Sequence, residues 1–422
     1  MPISLCELRF REEARAKRNR FFVVSWLTYV AFYLCRQNLS VILPVFTRTH
    51  MYTTLQCARL VFAFSLAYCI GQFIMGGLVD RFGGRGVLTA GMLLSASATA
   101  AMGWSSRYEL LLICEIVNGT AQAAGWVGLM KMLRQHPMQR RGVAMGWWST
   151  NYVIGGFAAT LLATYALAAP WMQDAGWRKA AWLPAATLLL FAFVFNFATR
   201  SAVNYQGAPS EMRPTTRHWV QVARIALSMG RIRVLMAAYF LVKLIRYSLL
   251  FWLPLFLTDH LKILPVHAGY ISSWLGVYGV IGVLGAAYLS DYVFKARRFP
   301  VAMLSMLLLS IVSIAASHLG IGAANWRVSF VVALLGCATY GADTLLVGAA
   351  AQDAAGTGHM GTVAGIVDGA GSAGEVLSPV FVTLISRVWG WPALFQSIGT
   401  VALLCAIVLA FGLTAERTTA TV

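Results

Sequence analysis

Long apolar runs recur along nearly the whole sequence. Each run is long enough to cross a bilayer core about 30 Å thick as an α-helix, which rises about 1.5 Å per residue. The predicted spans are 21–46, 57–79, 86–104, 109–133, 142–168, 178–200, 234–257, 267–290, 299–318, 327–350, 359–386 and 392–414. The sequence therefore predicts an all-α polytopic membrane protein with twelve transmembrane helices.

The composition agrees with a membrane protein and excludes a soluble one. Of the 422 residues, 59% are hydrophobic and only 11% are charged, whereas soluble domains carry about 25% charged residues. The longest internal polar stretch, from Thr199 to Arg233, is too short to bury a core of its own. The first apolar run is too long for a cleavable signal peptide, so we expect it to be the first span.

The net charge of +18 reflects membrane topology because the basic residues fall mostly in alternate connections. Segments 9–20 and 200–233 each hold six Lys and Arg residues, whereas the intervening loops hold one or two each. We expect both termini and the central loop to be cytoplasmic, in a monomeric protein of the plasma membrane (the bacterial inner membrane). A nucleic-acid partner is not expected.

The two halves of the sequence repeat each other. The matching pairs are Tyr29 and Tyr239, Arg36 and Arg246, and Pro44 and Pro254, each 210 residues apart, Asp80 and Asp291, 211 apart, and the Gly-Trp pairs at 176–177 and 390–391, 214 apart. These offsets predict two pseudo-symmetric six-helix bundles, residues 1–200 and 234–422, joined by a cytoplasmic linker, 201–233. Such symmetry is typical of a transporter with its site between the halves; a duplicated channel or a membrane enzyme is the alternative.

Two arginines lie deep inside predicted spans. Arg36 would sit roughly 22 Å into a helix beginning at Phe21, where a charge needs a polar cavity or a partner. The residues three and seven positions before each arginine lie on the same helix face as that arginine. They are Tyr33 and Tyr29 in the first half, and Lys243 and Tyr239 in the second. Because the guanidinium fork suits phosphate and carboxylate oxygens, Arg36 and Arg246 predict an anion site. The alternatives are that they reach the outer interface or neutralise buried acids.

The sequence gives no sign of a cofactor or a metal site. The seven cysteines are scattered, mostly within apolar runs, and this pattern is typical of small core residues. The glycine-rich stretch 356–374 lacks the pattern of a phosphate-binding loop and is more typical of close helix packing.

The connection after the second span reads Gly76-Gly77-Leu78-Val79-Asp80-Arg81-Phe82-Gly83-Gly84-Arg85. It resembles the loop signature G-x-x-x-D-R-x-G-R of the major facilitator superfamily. The second half repeats the acid at Asp291 but has no arginine directly after it. The resemblance implies that Asp80, Arg81, Arg85 and Asp291 take part in gating between inward- and outward-open states. Ordinary loop anchoring is the alternative.

The sequence also resembles the organophosphate:phosphate antiporter family, which comprises glycerol-phosphate and sugar-phosphate transporters and a related sensor. The resemblance rests on Y-x-x-R-x-N at 33–38, K-L-I-R-Y at 243–247, the second-span stretch 65–76 and the fifth-span stretch 147–156. It implies that Arg36 and Arg246 bind the substrate phosphate. Gln37, Gln72 and Asn151 stand where the family commonly has lysine, lysine and histidine, which removes cationic or titratable groups near the expected site.

Two acids in the eleventh span, Asp368 and Glu375, are seven residues apart and share a helix face. An acid among apolar residues can carry a proton, so both are candidates for proton coupling; static pairing with Arg36, Arg246 or Lys243 is the alternative.

The resemblance and these residues together predict exchange of an organic phosphate for inorganic phosphate by alternating access. Arg36 and Arg246 would bind the anion. The other expected site residues are Tyr29, Tyr33, Tyr239 and Lys243, which would orient the ligand, and Gln72 and Asn151, which would line the walls. A proton-coupled organic-anion symporter and a transport-deficient receptor for an organic phosphate are the alternatives.

Overall fold

The computed structural model describes residues 5–134, 141–199, 224, 228–295, 297–346 and 360–419. Twelve long helices lie in this part of the chain. They are α1 (Leu5–Arg48), α2 (Thr54–Phe82), α3 (Gly84–Trp104), α4 (Tyr108–Arg134), α5 (Arg141–Ala168), α6 (Lys179–Ala198), α7 (Gly230–Asp259), α8 (Pro265–Tyr288), α9 (Arg298–Ser317), α10 (Asn325–Thr344), α11 (Met360–Val388) and α12 (Gly390–Thr419). The predicted all-α architecture with twelve helices is confirmed.

Ten of these helices contain a segment long and apolar enough to cross a membrane within the described residues. The other two, α4 and α10, carry polar residues in their interiors, among them Glu115 in α4 and Asp343 in α10. Both of these acids are buried inside the protein. Polar residues on interior helices of a membrane bundle face other helices rather than lipid.

The first helix is longer than the predicted span. It begins at Leu5, whereas the sequence predicts a span from residue 21, and its apolar part begins near Asn19. The segment before Phe21 is rich in Arg, Glu and Ala, which favour helix, and it contains neither glycine nor proline to stop one. The helix therefore continues through this charged segment.

Helix packing repeats between the two halves. In the first half, α1 packs on α5 and α6, α2 on α4, and α3 on α6. In the second half, the same contacts recur six helices later: α7 packs on α11 and α12, α8 on α10, and α9 on α12. The predicted pair of pseudo-symmetric bundles is confirmed. The exact limits of the linker stay a prediction, since residues 200–223 and 225–227 lie outside the described part of the chain.

The most extensive contacts between the halves join α1 with α7, α2 with α11, and α5 with α8. The helices that carry Arg36 and Arg246, α1 and α7, therefore contact each other directly. Each has a proline inside it, Pro44 or Pro254, as the sequence repeat predicts.

The repeated Gly-Trp pair has a local structural reason. Gly176 and Gly390 have φ values of 54° and 83°, a conformation that side chains other than glycine's disfavour. The tryptophan that follows each glycine is buried. Trp177 packs edge-on against Phe46, and Trp391 donates a hydrogen bond to Asp259 over 2.7 Å. Each Gly-Trp pair therefore anchors its loop against the end of a helix in the same half: α1 in the first half and α7 in the second.

Candidate functional site

Arg36 and Arg246 lie near the middle of the apolar parts of their helices and are only 3% and 4% exposed. The apolar part of α1 extends from Asn19 to Arg48, and that of α7 from Gly230 to Asp259. Both guanidinium groups are therefore far from either end of the bundle. A buried charge of this kind requires a partner, and the structure gives one to each arginine.

Glu375 on α11 is the partner of Arg36. The Arg36 Nη2 atom donates to Glu375 Oε1 over 2.6 Å and to the Tyr247 hydroxyl over 2.8 Å. Since Arg36 belongs to the first half and both acceptors to the second, these bonds connect the halves. The side chains of Arg36 and Glu375 are 2% and 1% exposed, so water does not compete for the ion pair.

Asp343 on α10 is the partner of Arg246. The Arg246 Nη1 atom donates to Asp343 Oδ2 over 3.0 Å, and both residues belong to the second half. Tyr152 from the first half also donates to Asp343 Oδ2, over 3.0 Å. The bond from Arg246 to the Tyr33 hydroxyl is longer, 3.4 Å.

Aromatic rings surround both guanidinium groups. The Cζ atom of Arg36 lies 4.2 Å from the centre of the Tyr68 ring, and the rings of Tyr33, Tyr247 and Phe64 lie within 5.6 Å. The rings of Tyr152, Tyr340 and Tyr247 lie 4.6–5.3 Å from the Cζ atom of Arg246. Such contacts stabilise a desolvated cation by roughly 0.5–2 kcal/mol each.

Lys243 lies one turn before Arg246 and forms a third ion pair. Its Nζ atom donates to Asp368 Oδ1 over 2.9 Å, with side-chain exposures of 7% and 24%. Gly371 makes room for this side chain, because a Cβ atom there would lie 2.5 Å from the Tyr239 ring and 2.9 Å from Lys243 Cδ. The close approach of α7 and α11 thus brings Tyr239, Lys243 and Asp368 together.

The remaining predicted site residues differ in their surroundings. Tyr29 packs against Tyr33, Trp126 and Trp148, and is buried. Asn151 on α5 is fully buried, and neither of its side-chain polar atoms has a partner among the described residues.

Gln72 completes the predicted site residues, and Gln37 is the neutral residue that follows Arg36. Gln72 is half-buried on α2, one turn after the Tyr68 that covers Arg36. Gln37 sits beside Arg36 and donates to the Leu250 carbonyl, which adds another bond between the halves.

The predicted gating residues lie at one end of the bundle. Asp291 lies in a short π-helical turn (Leu289–Val293) that follows α8 and pairs with Arg298. Arg85 donates to the backbone carbonyl and side chain of Asn196 over 2.8 and 2.5 Å. Arg81 is exposed. The side chain of Asp80 lies outside the described residues, so the gating role of this loop stays a prediction.

Some residues of the central cluster are missing from the sequence-based site. Tyr68, Tyr152, Tyr247 and Tyr340 all contact an arginine. Tyr247 directly follows Arg246 in the sequence, and Tyr152 directly follows Asn151. Adjacency to a predicted site residue could have indicated that both tyrosines lie near the site. Tyr68 and Tyr340 have no such signal, because helix packing alone brings them to the arginines.

The chain is similar to known proteins along most of its length. Residues 25–379 match the family model described as Major Facilitator Superfamily. The chain is 26% identical over 396 residues to the glucose-6-phosphate exchanger SLC37A2 of Bos taurus, covering 82% of this chain and 78% of that protein. It is 25% identical over 317 residues to the glycerol-3-phosphate transporter of Bacillus subtilis, covering 70% of each.

A solved structure shows the same fold. It is the bacterial homolog of the human lysosomal transporter Spinster, in an inward-facing and unoccupied conformation, and it matches with a TM-score of 0.72 at 15% identity. The match covers 94% of this chain and 95% of the other.

Proposed function

The chain belongs to the Major Facilitator Superfamily, and on that premise we propose that it is a secondary active transporter that exchanges an organic phosphate for inorganic phosphate. The similar proteins named as glycerol-3-phosphate and glucose-6-phosphate carriers support a phosphorylated substrate. The expected substrates are a sugar phosphate or a glycerol phosphate.

One observation carries the proposal: two buried guanidinium groups occupy corresponding positions in the two halves, at the interface between them. Each has a buried Nε atom without a hydrogen-bond partner among the described residues. A guanidinium group can donate two parallel hydrogen bonds to one phosphate. An anion between the halves would therefore find unused donors on both arginines.

The proposed cycle is alternating access. The anion binds Arg36 and Arg246 when the halves are separated at one end, and the halves then rock to open the other end. Tyr29, Tyr33, Tyr239 and Lys243 orient the ligand, with Gln72 and Asn151 at the walls. Asp80, Arg81, Arg85 and Asp291 control opening at the cytoplasmic end. The protein acts as a monomer in the bacterial inner membrane with both termini in the cytoplasm.

A proton-coupled organic-anion symporter is the second candidate. It is favoured by the direct contacts of Glu375 with Arg36 and of Asp368 with Lys243. A proton on either acid would weaken its ion pair and release the cation for a substrate anion.

Reconstitution into vesicles separates these functions. Vesicles loaded with inorganic phosphate should take up labelled glycerol 3-phosphate without a pH gradient, whereas matched vesicles loaded with sulfate should not. Uptake that a protonophore abolishes would contradict exchange and support the symporter. Binding of glycerol 3-phosphate without uptake would instead indicate a receptor.

A further inference from the structure

The charges at the centre of the protein balance. Three cations, Arg36, Lys243 and Arg246, each pair with one acid among the described residues: Glu375, Asp368 and Asp343. Among the residues whose side chains the structure describes, two other charged residues are buried elsewhere. Glu115 lies on α4, and Lys179 at the start of α6 donates to the Ala169 carbonyl. Glu115 can only add negative charge to the interior.

This balance restricts the charge of a ligand. A phosphate that accepts from both Nε and Nη2 of Arg36, the paired geometry that a guanidinium group favours, displaces Glu375, because Glu375 already accepts from Nη2. The displaced carboxylate then remains in a region of low polarity, where an unpaired charge is strongly unfavourable. Either a proton or a cationic group must accompany the phosphate.

The surroundings of Glu375 contain several unused hydrogen-bond acceptors. Its Oε2 atom is buried and has no partner among the described residues. Ser372 and Ser378 lie three residues before and after it, on the same face of α11. Both are buried, and their hydroxyl groups also lack partners in the described part of the chain. An ammonium group has three donors, and this face offers three unpaired oxygens.

Aromatic rings near the same point also favour a cation. Tyr68, Tyr33 and Tyr247 present their rings to the Arg36 guanidinium group. When a ligand draws Arg36 towards its phosphate, these rings remain available to a second cation.

Resting on the proposed function, we infer that the preferred substrate among such organic phosphates is zwitterionic: its phosphate binds Arg36, and an ammonium group on its organic part binds Glu375. The ligand inserts between the two partners of the ion pair, so one buried pair becomes two. With the phosphate in its singly charged form, every charge in this arrangement has an opposite partner, and Glu375 itself needs no proton.

Two ligands of matched shape test the inference. Aminoethyl phosphate carries an ammonium group, and propyl phosphate replaces it with a methyl group of similar size. Both are added as inhibitors of radiolabelled phosphate self-exchange by the full-length protein in vesicles. Aminoethyl phosphate should inhibit at a concentration lower by about tenfold or more, because the site's acceptors stay unpaired with propyl phosphate. Equal inhibition by the two would overturn the inference.

Variants of Glu375 test whether this residue causes the preference for aminoethyl phosphate over propyl phosphate. Glu375→Gln keeps the shape but removes the charge, so the ratio of the two inhibition constants should fall to within about twofold. Glu375→Asp keeps the charge and should keep a clear preference for aminoethyl phosphate. Asp174→Asn, at an exposed loop acid, is the matched control and should leave the ratio unchanged. A preference that persists in Glu375→Gln would contradict the assignment to this residue.

Failure of the inference is distinguishable from failure of the proposed function. If phosphate self-exchange occurs and propyl phosphate inhibits as well as aminoethyl phosphate, the exchanger stands and the zwitterionic substrate is wrong. If no phosphate self-exchange is detected, the exchanger itself is wrong. Better inhibition by propyl phosphate at acidic pH would place a proton, and not an ammonium group, on Glu375.

Discussion

Arg36 and Arg246 occupy corresponding positions in the two halves, yet their acid partners come from different halves. Arg36 pairs with Glu375 across the interface, whereas Arg246 pairs with Asp343 inside its own half. Separation of the halves must therefore break the first ion pair and can leave the second intact. A duplicated sequence has thus produced one arginine that links the halves and one that is fixed within a half.

The surrounding bonds extend this difference. Around Arg36, the bonds to Glu375 and Tyr247 and the neighbouring bond from Gln37 to Leu250 all cross the interface. Around Arg246, its own short bond lies within the half, and its bond to Tyr33 across the interface is long at 3.4 Å; the short bond that crosses there is the one from Tyr152 to Asp343, and it does not involve the guanidinium group. In the proposed cycle, a substrate anion would compete mainly with the bonds of Arg36.

The largest expected effect is on stability after loss of Arg36. Arg36→Ala leaves Glu375 without its Nη2 donor and should lower the free energy of unfolding by roughly 3–5 kcal/mol. Arg246→Ala should cost less, because Asp343 keeps its bond from Tyr152. The measurement is chemical unfolding in detergent.

The double variant Arg36→Ala/Glu375→Gln is the control for this prediction. It removes both charges and should recover most of the lost stability, since neither charge is then buried alone. Equal losses for the two alanine variants, or no recovery in the double variant, would contradict the difference between the arginines.

Removal of one acid should affect the relative position of the halves more on the Arg36 side. Glu375→Gln removes an ion pair between the halves, whereas Asp343→Asn removes an ion pair within a half and changes only the acceptor of the Tyr152 hydroxyl between the halves. Spin labels on Arg107→Cys and Ile321→Cys, in loops of the first and second half, report the distance between them. The distance distribution should broaden clearly with Glu375→Gln and much less with Asp343→Asn. The same distribution for both variants would argue against a linking role for Arg36.

Two tyrosine hydroxyls give a smaller test. Tyr247→Phe removes an acceptor at 2.8 Å from Arg36, and Tyr33→Phe removes one at 3.4 Å from Arg246. A hydrogen bond to a charged group contributes about 1.5–3 kcal/mol at good geometry. We expect Tyr247→Phe to lower the stability by about this amount and Tyr33→Phe by less. The reverse order would contradict the distances.

The smallest effect is expected at the third ion pair. Asp368 is 24% exposed, so water can partly replace its bond with Lys243. Asp368→Asn should therefore lower the free energy of unfolding by only about 1 kcal/mol or less. A loss as large as that of Arg36→Ala would show that this pair is as isolated from water as the other two.

Much of the architecture could be predicted from the sequence. Span length and hydropathy located all twelve helices, and the 210-residue offset placed Arg36 and Arg246 in corresponding positions. These signals are local or periodic, so they do not require knowledge of helix packing. Ion pairs with buried acids were only an open alternative, because the sequence shows the depth of a charge but not its neighbour.

The choice of partner could not be predicted. Arg36 and Glu375 are 339 residues apart, and their contact depends on how α1 and α11 approach across the interface. Lys243 and Asp368 meet because Gly371 leaves space between α7 and α11, a packing detail that residue spacing alone does not show. The tyrosines around the arginines come from several helices of both halves for the same reason.

The most direct test of the account is exchange by the conservative arginine variants. Arg36→Lys and Arg246→Lys keep the positive charge, but lysine cannot reproduce the planar fork that binds two phosphate oxygens. Uptake of labelled glycerol 3-phosphate into phosphate-loaded vesicles is measured for both variants after chemical unfolding has shown that each is folded. We predict that each variant loses most of the exchange activity. Exchange at the wild-type rate in both variants would contradict an anion site at Arg36 and Arg246.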